Sequence, residues 1–215
     1  MKKQDLFFIL GPELISYRLN RWFGYKNFQP ITLTYSVTAA CQSKCKTCQI
    51  GAMFCQDPSR AKKDLRLDEI EKIFKNMRPV YFFNMSGGEP FLRPDLPEIV
   101  ELACKYIKPR VVHTPTNGIM TERITEHTEK IIKIVRQYDK TVPVTVKPSI
   151  DGVGKLHDEI RGVEGNFNRL LKTIESLKRL EERYDNFHLE LGTVVSNFNI
   201  DYLDEIEDFV HGLGV

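Results

Sequence analysis

Cys41, Cys45 and Cys48 stand within eight residues of one another, in the run Cys41-Gln-Ser-Lys-Cys45-Lys-Thr-Cys48. Three thiols on one short loop can converge on a single inorganic centre, and thiolates are the usual protein ligands of iron–sulfur clusters. Four cysteines would close such a site, whereas three leave one iron open to an outside ligand. The alternative on the cysteines alone is zinc, with Cys55, seven residues on, as a fourth ligand. The chain holds five cysteines, an odd and clustered set rather than the even, dispersed set of a secreted disulfide framework. A reducing compartment is implied, and the expected location is cytoplasmic.

Further polar clusters punctuate the chain. Ser86-Gly87-Gly88-Glu89-Pro90 combines two glycines, which let backbone approach a ligand without side-chain obstruction, with a carboxylate at Glu89. Thr116-Asn117-Gly118 follows, then Ser149-Ile150-Asp151-Gly152, His157-Asp158 and Arg161-Gly162. Each alone reads equally well as a polar turn.

Their placement among the expected elements separates the two readings. Strands are expected at Ile31–Val37, Val80–Met85, Arg110–Thr114, Val142–Ile150 and Phe187–Val195, from their β-branched and aromatic content. Helices are expected between them. Leu67, Ile70, Ile73, Phe74 and Met77 recur at helical spacing; Asp95 with Glu98 marks a helix start; Thr121–Tyr138 carries Ile124, Ile131, Ile134 and Val135 on one face. Asn166 is expected to cap a helix striped by Phe167, Leu170, Leu171, Ile174 and Leu177, and Ile200–His211 closes the series. Five strands alternating with five helices predict an α/β fold with parallel pairing, either doubly wound or curled into a barrel. In both, active sites lie at the carboxyl ends of the strands, which is where every polar cluster falls.

Taken together, the C-x3-C-x2-C loop after the first strand and Gly87-Gly88-Glu89-Pro90 after the second resemble the radical S-adenosylmethionine (SAM) superfamily. Thr116-Asn117-Gly118 and the Ser149-Ile150-Asp151-Gly152 stretch with His157-Asp158 and Arg161-Gly162 extend the match over roughly Ile31 to Asn199. The last stretch resembles a branch of peptide- and protein-modifying enzymes that carry a C-terminal SPASM or twitch extension. The resemblance implies a partial (β/α) barrel, a 4Fe-4S cluster on Cys41, Cys45 and Cys48, and SAM chelating the open iron. It also implies that Gly87, Gly88 and Glu89 receive SAM's methionine part. Ser149 and Arg161 become candidates for its ribose or carboxylate, Asn117 for the SAM or substrate side, and Val194–Asn197 for adenine. The implied reaction is reductive cleavage of SAM to a 5′-deoxyadenosyl radical that takes hydrogen from a substrate, a peptide or protein being favoured. A reductase or a flavodoxin- or ferredoxin-type electron donor is implied as partner.

Two departures from the family pattern stand out. Thr47 occupies the position before the third cysteine, where an aromatic usually packs on adenine. Five strand-helix units are counted where the family has six, so the sixth is missing from these 215 residues. A truncated core is the first expectation, ahead of a split enzyme completed by another chain and of a minimal domain. The rival to an enzyme is a non-catalytic fragment, either a dead core that binds a partner or a zinc-stabilised module.

The remaining residues set the frame. Thirty-one basic and 29 acidic residues nearly cancel, leaving +2, so nothing argues for nucleic acid. Residues 1-30 form an aromatic and basic extension to the core at residues 31-215. Within it Glu13–Phe23 reads as an amphipathic helix, either touching a membrane surface or partner or packed on the core. Leu6–Leu10 is too short to span a bilayer. Cys104 is expected in the core, Asp68, Glu69 and Glu71 at a solvated helix start, and His113 in an ordinary hydrogen bond.

Overall fold

The computed structural model describes residues 10–24 and 30–215. Five strands, β1 (Thr32–Thr38), β2 (Phe82–Gly87), β3 (Val111–Thr116), β4 (Val144–Pro148) and β5 (Phe187–Leu189), form one parallel sheet in the order β1-β2-β3-β4-β5. Doubly wound sheets reverse direction part-way and cover both faces. Strictly sequential order with crossovers of one hand keeps the crossover helices on one face and leaves the other concave. The winding is therefore that of a barrel wall, which decides the alternative left open by periodicity.

Side-chain alternation follows that geometry. In β1 Thr32, Thr34 and Ser36 are exposed, while Leu33 and Tyr35 are partly buried and Val37 fully so. The helix-covered face joins Val37, Phe83, Met85, Val112, Val144 and Val146 to the apolar stripes of α3 (Leu67–Lys75), α4 (Leu96–Tyr106), α5 (Thr121–Tyr138) and α7 (Asn166–Arg183). Those stripes supply Ile70 and Phe74, Ile99 and Ala103, Ile124 and Ile131, and Leu170 and Leu177. Cys104 lies within this core as expected, and burial pushes its thiol up to about 12. Glu69 accepts from the Arg66 amide at 2.8 Å at the start of α3, and Asp68 pairs with Arg66 in the solvent.

α1 (Gly11–Phe23) forms where the amphipathic pattern predicts it, and Gly24, in the left-handed region, ends it by donating to Asn20. Its apolar side chains Leu14, Ile15, Leu19, Trp22 and Phe23 are exposed rather than packed on the core. Phe7, Phe8, Tyr25, Lys26 and Phe28 of the same extension lie outside the described residues. No helix among the described residues is long and apolar enough to cross a membrane.

Two expectations are corrected, and a third is met in another way. The helix α7 begins at Asn166, but its cap is Gly165, in the left-handed region, and the Asp158 carboxylate accepts from the amides of Gly165 and Phe167, both at 2.7 Å. α4 does start after Asp95 as expected, although the Asp95 carboxylate pairs with Arg93 rather than with the first amides of the helix. The fifth strand stops at Leu189 rather than Val195: Glu190 and Gly192 still donate to Val146 and Pro148, but Thr193 and Val194 then bond Ile150 through a hydroxyl and the Asp151 side chain instead of a ladder. Of two short helices that carry no legible periodicity, α2 (Ile50–Gln56) follows the cysteine loop and α6 (Lys155–Arg161) lies within the 149–162 stretch, and α8 (Leu203–Leu213) follows a single helical turn at Ile200–Tyr202.

Candidate active site at the carboxyl ends of the strands

The cysteine loop leaves β1 through a clamp made of distant residues. Asp64 accepts from the Thr38 hydroxyl at 2.5 Å and from the Ala39 amide at 3.0 Å. The buried Arg93 donates to the carbonyls of Val37 and Leu65, both at 2.6 Å, and is itself held by Asp95. The Gly87–Glu89 turn then lies against the loop: Gly88 and Glu89 amides donate to the carbonyls of Thr38 and Ala40, both at 2.8 Å. A Cβ on Gly88 would stand 2.0 Å from the Ala40 oxygen and 3.0 Å from Cβ of Cys41, so only glycine permits this approach.

α6 supports the loop from the other side. Amides of Lys44 and Lys46 donate to the carbonyls of Arg161 (3.1 Å) and Ile160 (2.8 Å). Gly162, at φ +65°, meets Lys44 so closely that a Cβ would lie 2.4 Å from its carbonyl oxygen. The Asn117 side chain reaches Ser43 Oγ at 3.1 Å and is buried with it. Segments following β1, β2, β3 and β4 are thus bonded into one assembly around Cys41–Cys48.

Cys41 is buried, Cys45 half-buried and Cys48 exposed, and all are free thiols. They share one neighbourhood: Cys45 raises the Cys41 thiol and Cys48 raises the Cys45 thiol. Burial is the larger cause of both shifts, and the Arg161 guanidinium opposes it. No three His, Cys, Asp or Glu among the described residues converge as a single ion would need, and Cys55 lies exposed on α2. Polar atoms left without partners gather here too: both ends of the Gln42 amide and Nε of Arg161 are buried and unbonded. Three thiols, a buried cation and orphaned donors on one rim fit an anionic inorganic cluster with a charged ligand.

Glu89 is fully buried. Its Oε1 accepts from Thr116 Oγ1 (2.8 Å) and the Phe91 amide (3.2 Å), and its Oε2 from the Asn117 amide (2.7 Å). Burial nevertheless raises its carboxyl to about 7, against the pull of those bonds. A cationic partner would restore full ionisation. Ser149, half-buried, extends β4 through its amide bond to Thr116 (2.9 Å) and an isolated bridge to Gly192.

A second centre, unforeseen from sequence, is the Asp151 knot. Asp151 is fully buried; Oδ2 takes Arg161 Nη1 at 3.0 Å and Oδ1 takes the Val194 amide at 2.9 Å. Its carbonyl accepts from Asn199 Nδ2 at 3.0 Å, and its amide donates to His157 Nδ1 at 3.2 Å. The knot fixes Arg161 and the 194–199 segment relative to β4. Only the Ser-Ile-Asp-Gly motif hinted at Asp151; nothing in sequence singled out Asn199, Asp64 or Arg93.

His157 yields a pH prediction. Burial holds its imidazole neutral down to about 4, against about 6.5 unfolded. The unfolded chain therefore binds the extra proton first, and stability falls as pH drops from about 6.5 through 4. Unfolding free energies from urea titrations at about pH 7 and pH 4.5 are expected to differ by about 2–3 kcal/mol from this group. The His157→Asn variant is expected to flatten that part of the difference.

His113 is half-buried on the concave face and bonds Asn84 Oδ1 at 2.8 Å, which in turn reaches Thr34 at 3.4 Å. Lys147 and Glu190 lie near enough to act on its charge, and burial lowers its affinity for a proton.

Comparison with known proteins decides what this assembly belongs to. Residues 35–210 match the family described as the Radical SAM superfamily. The chain belongs to the radical SAM superfamily. Among its relatives is the mycofactocin maturase MftC of Mycobacterium tuberculosis, 30% identical over 82% of this chain and 40% of MftC. The antilisterial bacteriocin subtilosin biosynthesis protein AlbA of Bacillus subtilis is 27% identical over 69% of this chain and 30% of its own. The AdoMet-dependent heme synthase of Methanosarcina barkeri is 28% identical over 86% and 48%. The chain thus spans less than half the length of these relatives. Of solved radical SAM structures, native anSMEcpe with bound AdoMet superposes with a TM-score of 0.59 at 19% identity, over 86% of this chain and 49% of that one. The fold is that of the superfamily, and its cofactors are a 4Fe-4S cluster and SAM.

Proposed function

We propose that this chain is the catalytic core of a radical SAM enzyme that acts on a peptide or protein, in the reducing cytoplasm. The bound cluster and SAM supply reductive cleavage to methionine and a 5′-deoxyadenosyl radical, which removes a hydrogen atom from an unactivated C–H bond. Cys41, Cys45 and Cys48 hold the cluster. Gly87 and Gly88 bring backbone close to SAM's methionine part, and Glu89 takes its ammonium. Arg161, with Nε unpartnered, faces the carboxylate or ribose together with Ser149, while Asn117 pins the cysteine loop through Ser43 and borders the pocket. The residues from Val194 to Asn197, fixed by Asp151, flank the adenine in place of the aromatic that Thr47 lacks. A one-electron donor of flavodoxin or ferredoxin type completes the system.

The observation that carries this reading is the convergence of four strand-end segments on the three-cysteine loop. The peptide preference is supported by the maturase and bacteriocin-biosynthesis relatives and by a solved complex of anSMEcpe with AdoMet and a peptide, at a TM-score of 0.56. It is supported also by the polar concave face, where Thr34, Asn84, His113 and Lys147 offer partners for amide groups. A deuterated lysate, split into peptide-plus-protein and small-molecule fractions, tests it. Deuterium is expected in 5′-deoxyadenosine only with the first fraction; deuterium from the second alone would reject a peptide substrate while leaving the radical chemistry intact.

A further inference from the structure

The charge of this chain is unevenly placed. Residues 44–66 carry Lys44, Lys46, Arg60, Lys62, Lys63 and Arg66 against Asp57 and Asp64, a surplus of four in a chain whose total surplus is two. All six basic side chains are exposed. Asp64 is turned inward to Thr38 and Ala39 and offers no surface compensation. Among the described residues the side chains of Lys44, Lys62 and Lys63 make no hydrogen bond or ion pair, whereas the Arg66 side chain is engaged by Asp68.

This basic face is wrapped around the cysteine loop. Lys44 and Lys46 lie between the cysteines themselves. The turn Pro58–Lys63 packs on α2, with the Arg60 guanidinium 3.4 Å from the Met53 sulfur. Ala61 and Asp64 share a pocket with Thr38 and Ala40, the residue before Cys41. Lys46 stands over the ring of Phe198, 5.3 Å from its centroid, and Phe198 and Met53 are both more than a third exposed. Cationic groups around scattered apolar ones, beside an exposed Cys48, make a surface for a protein rather than for a small anion.

Resting on the radical SAM reading, we propose that this face, centred on Lys44, Lys46, Lys62 and Lys63, docks an acidic, low-potential one-electron carrier protein and is the entry point for the electron. Each reductive cleavage of SAM takes up one electron, which must first arrive from outside, and transfer through protein weakens steeply with distance. The carrier must therefore sit against the cysteine loop, where this charge is concentrated. With a flavodoxin the step balances simply. The anionic flavin hydroquinone loses one electron to become the neutral semiquinone, the cluster goes from 2+ to 1+, and no proton crosses the interface. Opposite charge across the interface speeds such encounters by about 10–1,000-fold at low salt, an effect that screening removes.

Stopped-flow bleaching of the oxidised cluster tests this, with reduced flavodoxin as one reductant and photoreduced deazaflavin as the other. The protein is reconstituted anaerobically, and cluster content is checked by absorbance. The flavodoxin rate is expected to fall about tenfold or more as salt rises from about 0.05 to 0.5 M. Lys62→Glu/Lys63→Glu is expected to lower the low-salt rate about tenfold and flatten the salt dependence, with Lys62→Gln/Lys63→Gln intermediate. The deazaflavin rate is expected to change little in either variant. A flavodoxin rate independent of salt, or untouched by the charge reversal at full cluster content, would overturn the docking surface. A protein that takes up no cluster would overturn the radical SAM reading instead.

Discussion

Cys45→Ala is expected to cost at least about 100-fold in cluster affinity, beyond the 10–100-fold that losing an outer-shell partner costs. Cys45 is the middle one of the three proposed ligands: its thiol acts on Cys41, and Cys48 acts on it. Removing it leaves two thiolates, which cannot hold a cluster against solvent. Iron analysis and the brown absorbance of anaerobically reconstituted protein read the result. Cys41→Ala and Cys48→Ala are expected to behave alike. Cys55→Ala and Cys104→Ala are expected to keep their iron, since one lies exposed on α2 and the other in the core. A Cys55→Ala protein that lost its metal while Cys41→Ala kept it would contradict the ligand set.

The second large effect is structural. Asp151→Ala removes the carboxylate that neutralises Arg161, leaving a guanidinium 11% exposed without its partner. Breaking a buried pair from one side costs about 3–5 kcal/mol. The Val194 amide loses its acceptor in the same change. The urea midpoint of the metal-free protein is expected to fall accordingly, with faster hydrogen exchange at Val194. A loss below about 1 kcal/mol would mean that Arg161 is neutralised by something other than Asp151.

Much of this was legible because the fold uses local patterns. β1 to β4 fall within a few residues of their β-branched runs, and the helical stripes of α3, α4, α5 and α7 face the core, except that Ile73 is exposed and Ile132 rather than Ile134 is buried in α5. The chemistry was legible because strand-end loops in a parallel sheet meet at one rim, whatever their separation in sequence. Tertiary contacts hid the rest. Asn166 looks like a cap, but the left-handed Gly165 moves that task to Asp158, eight residues earlier. Asp95 marks the start of α4 as it reads, but its side chain holds Arg93, which grips Val37 and Leu65. The apolar run to Val195 promised a longer strand, yet Thr193 and Val194 bond Ile150 and Asp151 instead of continuing the ladder. Asp64 gave no signal at all, because its meaning lies wholly in Thr38 and Ala39, 25 residues away.

The measurement that tests the central claim most directly is 5′-deoxyadenosine release from SAM by anaerobically reconstituted, reduced protein, followed by mass spectrometry beside the Cys45→Ala variant. Release that depends on Cys45 is the predicted result, and it would establish that these residues bind SAM productively at the cysteine loop. Protein carrying a full 4Fe-4S cluster that released none, or released as much without Cys45, would contradict the account.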